Sequence, residues 1–235
     1  MAATSKTQPS RTDVARHIQN TLIAANATRD QVVQHVETCA EHRFHAAMIP
    51  MCWVPLTKEI LAGTGVRVAT FICIGMGNES VHGKIALVRE CWALGADEID
   101  YEPNMSFFVS GMHEEFKHEA ARLVEAAEGR PLKAMLELGY LKELAERKTA
   151  VRLLEEAGVP WIKNSSGVGP GSEPASTENV RFLRETVKPT THVKASGGIR
   201  TYEQVVELLA AGAELVGTSA GTSIVTGGDE RGGGY

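Results

Sequence analysis

Apolar and polar positions along this chain follow two periods in turn. Short runs rich in Val, Ile, Ala and Leu give way to longer segments in which apolar residues return every third or fourth position, and the pair recurs roughly every 25 to 35 residues, the length of a strand–helix unit. The short runs predict eight strands, at residues 17–23, 45–51, 66–75, 97–102, 132–138, 161–165, 192–196 and 215–219. The longer segments predict helices at 81–94, 113–127, 141–157, 177–186 and 202–211, after a first helix near 11–16. Gly95, Gly158 and Gly212 close three of them, where glycine readily takes the left-handed conformation that ends a helix. Eight units in 235 residues predict a single (β/α)8 TIM barrel with an extra N-terminal helix, since open doubly wound sheets more often have about five or six strands. Composition shifts only at the two ends. The Ser- and Thr-rich residues 1–12 and the Gly-rich tail 227–235 are expected to be flexible, which leaves residues 13–226 as one domain.

Charge and composition narrow the partners. Lys and Arg number 24 against 29 Asp and Glu, a net charge of −5, and no run of basic residues forms a stripe, so nucleic acid is not an expected partner. No apolar segment approaches the roughly 20 residues that cross a bilayer, and the first residues lack the apolar stretch of a secretory signal. A soluble, cytoplasmic protein without membrane association is expected. Cys39, Cys52, Cys73 and Cys91 have no CxxC spacing and read as reduced thiols. The eight His are scattered, and His113 and His118 are five apart rather than at the i, i+4 spacing of a helical zinc pair, so no metal site is expected. A serine triad would lack its GxSxG elbow.

In an α/β barrel, chemistry sits at the C-terminal ends of the strands, which directs attention to polar residues late in each predicted strand. Lys163 (VPWIKNSSG) and Lys194 (THVKASGG) lie near the ends of consecutive strands, about one strand–helix unit apart. Burying an unpartnered ammonium is costly, so a structural ion pair would suffice for one such lysine; two on adjacent strands, each followed by a small-residue loop, favour chemistry. A nearby second ammonium and partial desolvation both favour the free amine, the form that attacks a carbonyl to make a Schiff base. Asp100, two strands earlier and on the face of Glu98 and Glu102, fits a counter-ion or proton shuttle. Lys133 and Glu137 are expected to share a face of the fifth strand, with a buried salt bridge to Glu98 or Asp100 as likely an account as catalysis. Glycine-bearing segments follow the last three strands: 167–171 (GVGPG), 196–198 (SGG) and 218–223 (TSAGTS). Together, with no Walker-type lysine motif, they predict a site for a small phosphorylated substrate that includes Gly167.

GADEID (95–100), WIKNSSG (161–167), VKASGGIRT (193–201) and GTSAG (217–221) are similar to the corresponding segments of the deoxyribose-phosphate aldolases, class I aldolases on an α/β barrel. The likeness covers roughly residues 20 to 225, and VKASGGIRT is its most specific piece. It implies that Lys163 is the Schiff-base lysine, that Lys194 and Asp100 are its catalytic partners, and that Ser196, Gly197, Gly198, Gly217, Thr218 and Ser219 hold the substrate phosphate. It further implies reversible cleavage of 2-deoxy-D-ribose 5-phosphate to acetaldehyde and D-glyceraldehyde 3-phosphate, in nucleoside breakdown, with no metal or other cofactor. In some members a C-terminal tyrosine assists proton transfer, a role that Tyr235 would take here. Barrels of this size often self-associate, and a homodimer is expected.

The chain departs from the family pattern at several places. Gln19-Asn20-Thr21-Leu22 stands where Asp-His-Thr-Leu is usual, and Cys73-Ile74-Gly75-Met76-Gly77 where Gly-Phe-Pro-x-Gly is usual. Asn164 replaces a Thr after the lysine, and Met48 and Pro50 replace Cys and Asn. These differences leave two alternatives beside the main reading: a Schiff-base aldolase of the same fold acting on a different sugar phosphate, and a non-catalytic sugar-phosphate-binding barrel.

Overall fold

The computed structural model describes residues 8–228 and is a closed barrel in which each strand pairs in parallel with the next and β8 closes onto β1. The strands are β1 (Ile18–Thr21), β2 (Ala46–Met48), β3 (Arg67–Ile72), β4 (Glu98–Tyr101), β5 (Leu132–Met135), β6 (Trp161–Lys163), β7 (His192–Ser196) and β8 (Leu215–Thr218). Around them lie α1 (Arg11–Ala15), α2 (Arg29–Glu41), α3 (Val54–Ile60), α4 (Val81–Ala93), α5 (Met105–Val109), α6 (His113–Ala127), α7 (Leu144–Glu156), α8 (Thr177–Thr186), α9 (Tyr202–Ala210) and α10 (Gly221–Thr226). All eight expected strands form. Helices start where a side chain can satisfy the free N–H groups of the first turn: Thr28 with Gln31 and Thr201 with Gln204 form reciprocal capping boxes. Ser10 and Asp13 do the same for α1, and the Arg11 guanidinium lies 4.7 Å over the Tyr202 ring, tying α1 to α9.

Several boundaries differ from the sequence reading. The run at 66–75 becomes a strand only to Ile72, because Cys73 takes a left-handed backbone (φ 61°) and turns the chain. The run at 132–138 stops at Met135, since Glu137 is also left-handed (φ 48°). Glu137 therefore does not share a strand face with Lys133; its carboxylate turns to the loop after β6, where it accepts from the Ser166 N–H and from Ser165 Oγ at 3.2 Å. Helix α7 begins three residues after the predicted start at 141. Helices α2, α3, α5 and α10 were not among the expected elements. In α2 the buried stripe is Val32, Val36 and Cys39.

Two layers of packing position the site. Between strands and helices lies an apolar shell that includes Ile99, Ala134, Ile162, Val193 and Val216. Inside the barrel the filling is split. Ala46, Met48 and Ala69, with Phe71 and Ile23 against them, form a small apolar cluster on the β1–β3 side. The opposite side is filled by charged groups: Glu98, Asp100, Lys133, Lys163 and Lys194 are all buried.

Candidate active site

The register of the barrel brings the two lysines together. Lys163 and Lys194 are direct partners across β6 and β7, and Asp100 pairs with Lys133 across β4 and β5. Lys163 Nζ lies 3.1 Å from Asp100 Oδ2, and Lys194 Nζ lies 2.6 Å from that same oxygen. Lys133 Nζ is 2.7 Å from Glu98 Oε2 and 3.7 Å from Asp100 Oδ1, so the buried salt bridge expected for it forms with both carboxylates. Burial alone would raise the Asp100 carboxyl; Lys194, Lys163 and Lys133 outweigh it and hold it well below the usual carboxylate range. Burial pushes the Lys194 ammonium down to about 7, against the pull of Asp100 and with help from Lys163 and Lys133. Lys194 is 1% exposed and Lys163 6%, so Lys163 is the more accessible nitrogen.

A cavity of about 450 Å³ opens above this cluster, at the C-terminal ends of the strands. Lys163, Lys194 and Asp100 line it, as do Gly167, Ser196, Gly197, Gly198, Gly217, Thr218 and Ser219. Tyr235 lies outside the described residues. The loop after β7 is shaped by consecutive glycines with positive φ, 106° at Gly197 and 70° at Gly198, a conformation that costs little only without a Cβ. Ser196 anchors it: its N–H donates to Asn164 Oδ1 at 2.8 Å and its Oγ donates to the Ser165 carbonyl at 2.6 Å. Thr218 Oγ1 donates to the Ile199 carbonyl at 2.6 Å and accepts from the Ala220 N–H at 3.0 Å, which fixes the loop after β8. At Gly217 an added Cβ would come within 3.2 Å of Ser196 Cβ and 3.3 Å of Lys194 Cε, so the close approach of β8 to Lys194 depends on this glycine.

No family model matches the chain. Individual proteins do. The deoxyribose-phosphate aldolase of Brevibacillus brevis is 37% identical over 220 residues, covering 94% of this chain and 98% of its own length. The chain belongs to the deoxyribose-phosphate aldolase family. The family's enzyme from Thermococcus kodakarensis is 35% identical over 219 residues, with 92% of this chain and 96% of its own covered. A tetrameric deoxyribose phosphate aldolase from Aeropyrum pernix superposes with a TM-score of 0.84 at 26% identity, over 92% of this chain and 91% of its own.

Within the deoxyribose-phosphate aldolase family the chain's departures can now be located. Of those noted in the sequence, only Met48 and Ile74 line the cavity. Asn164 joins the ends of β6 and β7, accepting from the Ser196 N–H and donating to its carbonyl at 3.0 Å. Asn20 Oδ1 accepts from the Gly221 N–H at 3.3 Å, behind the loop after β8. Gln19 lies between Lys194 and Glu98. Sequence reasoning missed Arg200, which lines the cavity just after the two glycines, and Met135, whose sulfur is 3.6 Å from Lys163 Nζ. A cation two residues after SGG was the available signal for Arg200; Met135 offered none. Among the described residues no group of three or more His, Cys, Asp or Glu could hold a metal ion, and no helix is long and apolar enough to cross a membrane.

Proposed function

We propose that this chain is a class I aldolase that reversibly cleaves 2-deoxy-D-ribose 5-phosphate to acetaldehyde and D-glyceraldehyde 3-phosphate through an imine on Lys163. The observation that carries this reading is that Lys163, the more accessible of two buried lysines sharing one carboxylate oxygen, faces a cavity walled by the glycine-bearing loops of β6, β7 and β8. The departures that line that cavity are confined to Met48 and Ile74, which supports the family's substrate over a different sugar phosphate.

Attack requires a free amine. Lys194 shares Asp100 Oδ2 with Lys163 and holds its own proton loosely, so a proton leaving Lys163 has an adjacent acceptor. The Lys163 amine adds to the C1 aldehyde of the open sugar. The carbinolamine takes a proton from the Lys194 ammonium, loses water and becomes the protonated imine. Lys194, with Asp100 and a water, then removes the C3 hydroxyl proton; the C2–C3 electron pair flows into the imine, and the three-carbon aldehyde phosphate leaves. The enamine is protonated at C2, and water releases acetaldehyde and restores the amine. The positive-φ glycines after β7, with the loop after β8 and the Arg200 guanidinium, offer N–H donors for the phosphate.

Trapping with substrate and borohydride is expected to label the peptide holding Trp161 to Ser166, and Lys163→Ala to abolish the label. An adduct on Lys194 or Lys133 would overturn the assignment. We further read the chain as a cytoplasmic enzyme of nucleoside breakdown that self-associates, in keeping with the tetrameric relative.

A further inference from the structure

Gln19 on β1 is fully buried inside the barrel, and its amide is clamped between two groups of opposite capacity. Nε2 donates to Glu98 Oε2, and Oε1 accepts from Lys194 Nζ. A carboxylate only accepts and an ammonium only donates, so the amide between them has one orientation. The far end is fixed as firmly. Glu98 also accepts from Lys133 Nζ and Arg67 Nη1, each at 2.7 Å, and lies 2.7 Å from His45 Nε2. Burial would raise the Glu98 carboxyl, but Lys133 and His45 hold it well below its ordinary range, so it stays an acceptor and keeps the amide from turning.

The charge around Lys194 is uneven. The groups that face it are Gln19 from β1, Asp100 from β4, Lys133 from β5, Lys163 from β6 and, from β8, Gly217, which has no side chain. His45 and Arg67 reach Glu98 and each other. Lys133, Lys163 and Lys194 therefore share Asp100 and Glu98, and the remaining acceptor on Lys194 is uncharged.

We propose that Gln19 is a positioning residue that sets the charge state of Lys194: as a neutral acceptor it holds the amine in place with or without its third proton, and by adding no negative charge it lets that proton leave. A neutral amine has two N–H bonds; Gln19 and Asp100 take one each, which leaves the lone pair for the remaining tetrahedral direction. Burial, which brings Lys194 down to about 7, acts in the same sense. A carboxylate at position 19 would be a further anion against Lys194 and keep it charged. An apolar side chain would remove an acceptor and favour the free amine. The inference rests on the aldolase reading for the use of that proton, but not for its position.

Gln19→Glu and Gln19→Met separate these effects. In the parent chain, the limb of the kcat–pH profile that Lys194 sets is expected near pH 7. That limb should move up by about one unit or more in Q19E and down in Q19M, since an added counter-charge favours the ammonium and a lost acceptor disfavours it. A structural role alone would lower the rate and leave the limb where it was; coincident limbs in the parent and both variants overturn the proposal. The shifts are opposite in sign, so misfolding of one variant leaves the other decisive. Titrating the Lys194 side chain by 15N NMR, assigned through its loss in Lys194→Met, gives the same comparison without turnover. A parent chain that forms no adduct on Lys163 sinks the aldolase reading, while the NMR midpoints still decide the role of Gln19.

Discussion

Lys163 and Lys194 converge on a single oxygen, Asp100 Oδ2, from which their nitrogens lie 3.1 and 2.6 Å. The carboxylate is therefore the counter-ion that permits two lysines to be buried side by side and, in the proposed mechanism, the link through which they exchange protons. Asp100→Asn keeps the shape and removes the charge. Breaking a buried pair by deleting one partner typically costs about 3–5 kcal/mol, and losing a proton-transfer group costs roughly 10²- to 10⁴-fold in rate. Urea unfolding at pH 7 and the kcat of the folded variant should show both losses. A variant that is less stable but fully active would confine Asp100 to a structural role.

Lys194→Met tests the division of labour between the lysines. Its removal leaves Asp100 paired with Lys163 and Lys133, so the barrel should still fold. The rate should fall by about 10²-fold or more with little change in KM, and the limb near pH 7 should vanish with the group that titrates there. If KM rose while kcat and the limb persisted, Lys194 would be a phosphate ligand.

Gly217→Ala asks how tightly the site is built. Its Cβ would meet Ser196 Cβ at 3.2 Å and Lys194 Cε at 3.3 Å, and Lys194 is pinned at its far end by Gln19 and Asp100. Overpacking of this kind costs about 1 kcal/mol or more, and a displacement near 1 Å at a reacting group costs up to about 10²-fold in rate. Turnover should therefore drop more than stability. An alanine variant with parental kcat would show that the strands give way without moving the amine.

The parts of the molecule that could be read from sequence are those with a repeating signal. Strand runs such as 192–196 carry their own period, and two lysines one unit apart are placed by register alone, which is why Lys163, Lys194 and Asp100 were found together. Strand ends were harder. Cys73 and Glu137 adopt the left-handed backbone without being glycine, so nothing in the local sequence marks where β3 and β5 stop. Buried charge off the strands was equally hidden. Lys84 of α4 and Glu119 of α6 look like surface residues of amphipathic helices, yet both are fully buried and pair at 2.9 Å, and the lysine also binds the Glu102 carbonyl at 2.9 Å. Each partner is far away in sequence, and the pairing emerges only when the loops above β3 and β4 are folded around it.

Glu102, just beyond β4, yields a prediction about stability. It is 2% exposed and accepts from the Gly75 N–H. Burial, with Glu137 adding like-charge repulsion, raises its carboxyl to about 7 from an ordinary 4.5. The folded protein thus keeps this proton up to about pH 7, whereas the unfolded chain releases it near 4.5. Folded molecules bind more protons in that window, so this group's contribution to stability falls as pH rises from about 4.5 to 7 and stays low above it. Glu102→Gln has no proton to lose and retains an acceptor for Gly75. It should match the parent near pH 4.5 and exceed it at pH 8, by up to about 3 kcal/mol at roughly 1.36 kcal/mol per pKa unit. Thermal unfolding of both proteins at the two pH values measures the difference. A shift in Tm of equal size at pH 4.5 and pH 8 would mean that the buried carboxyl does not titrate in this window.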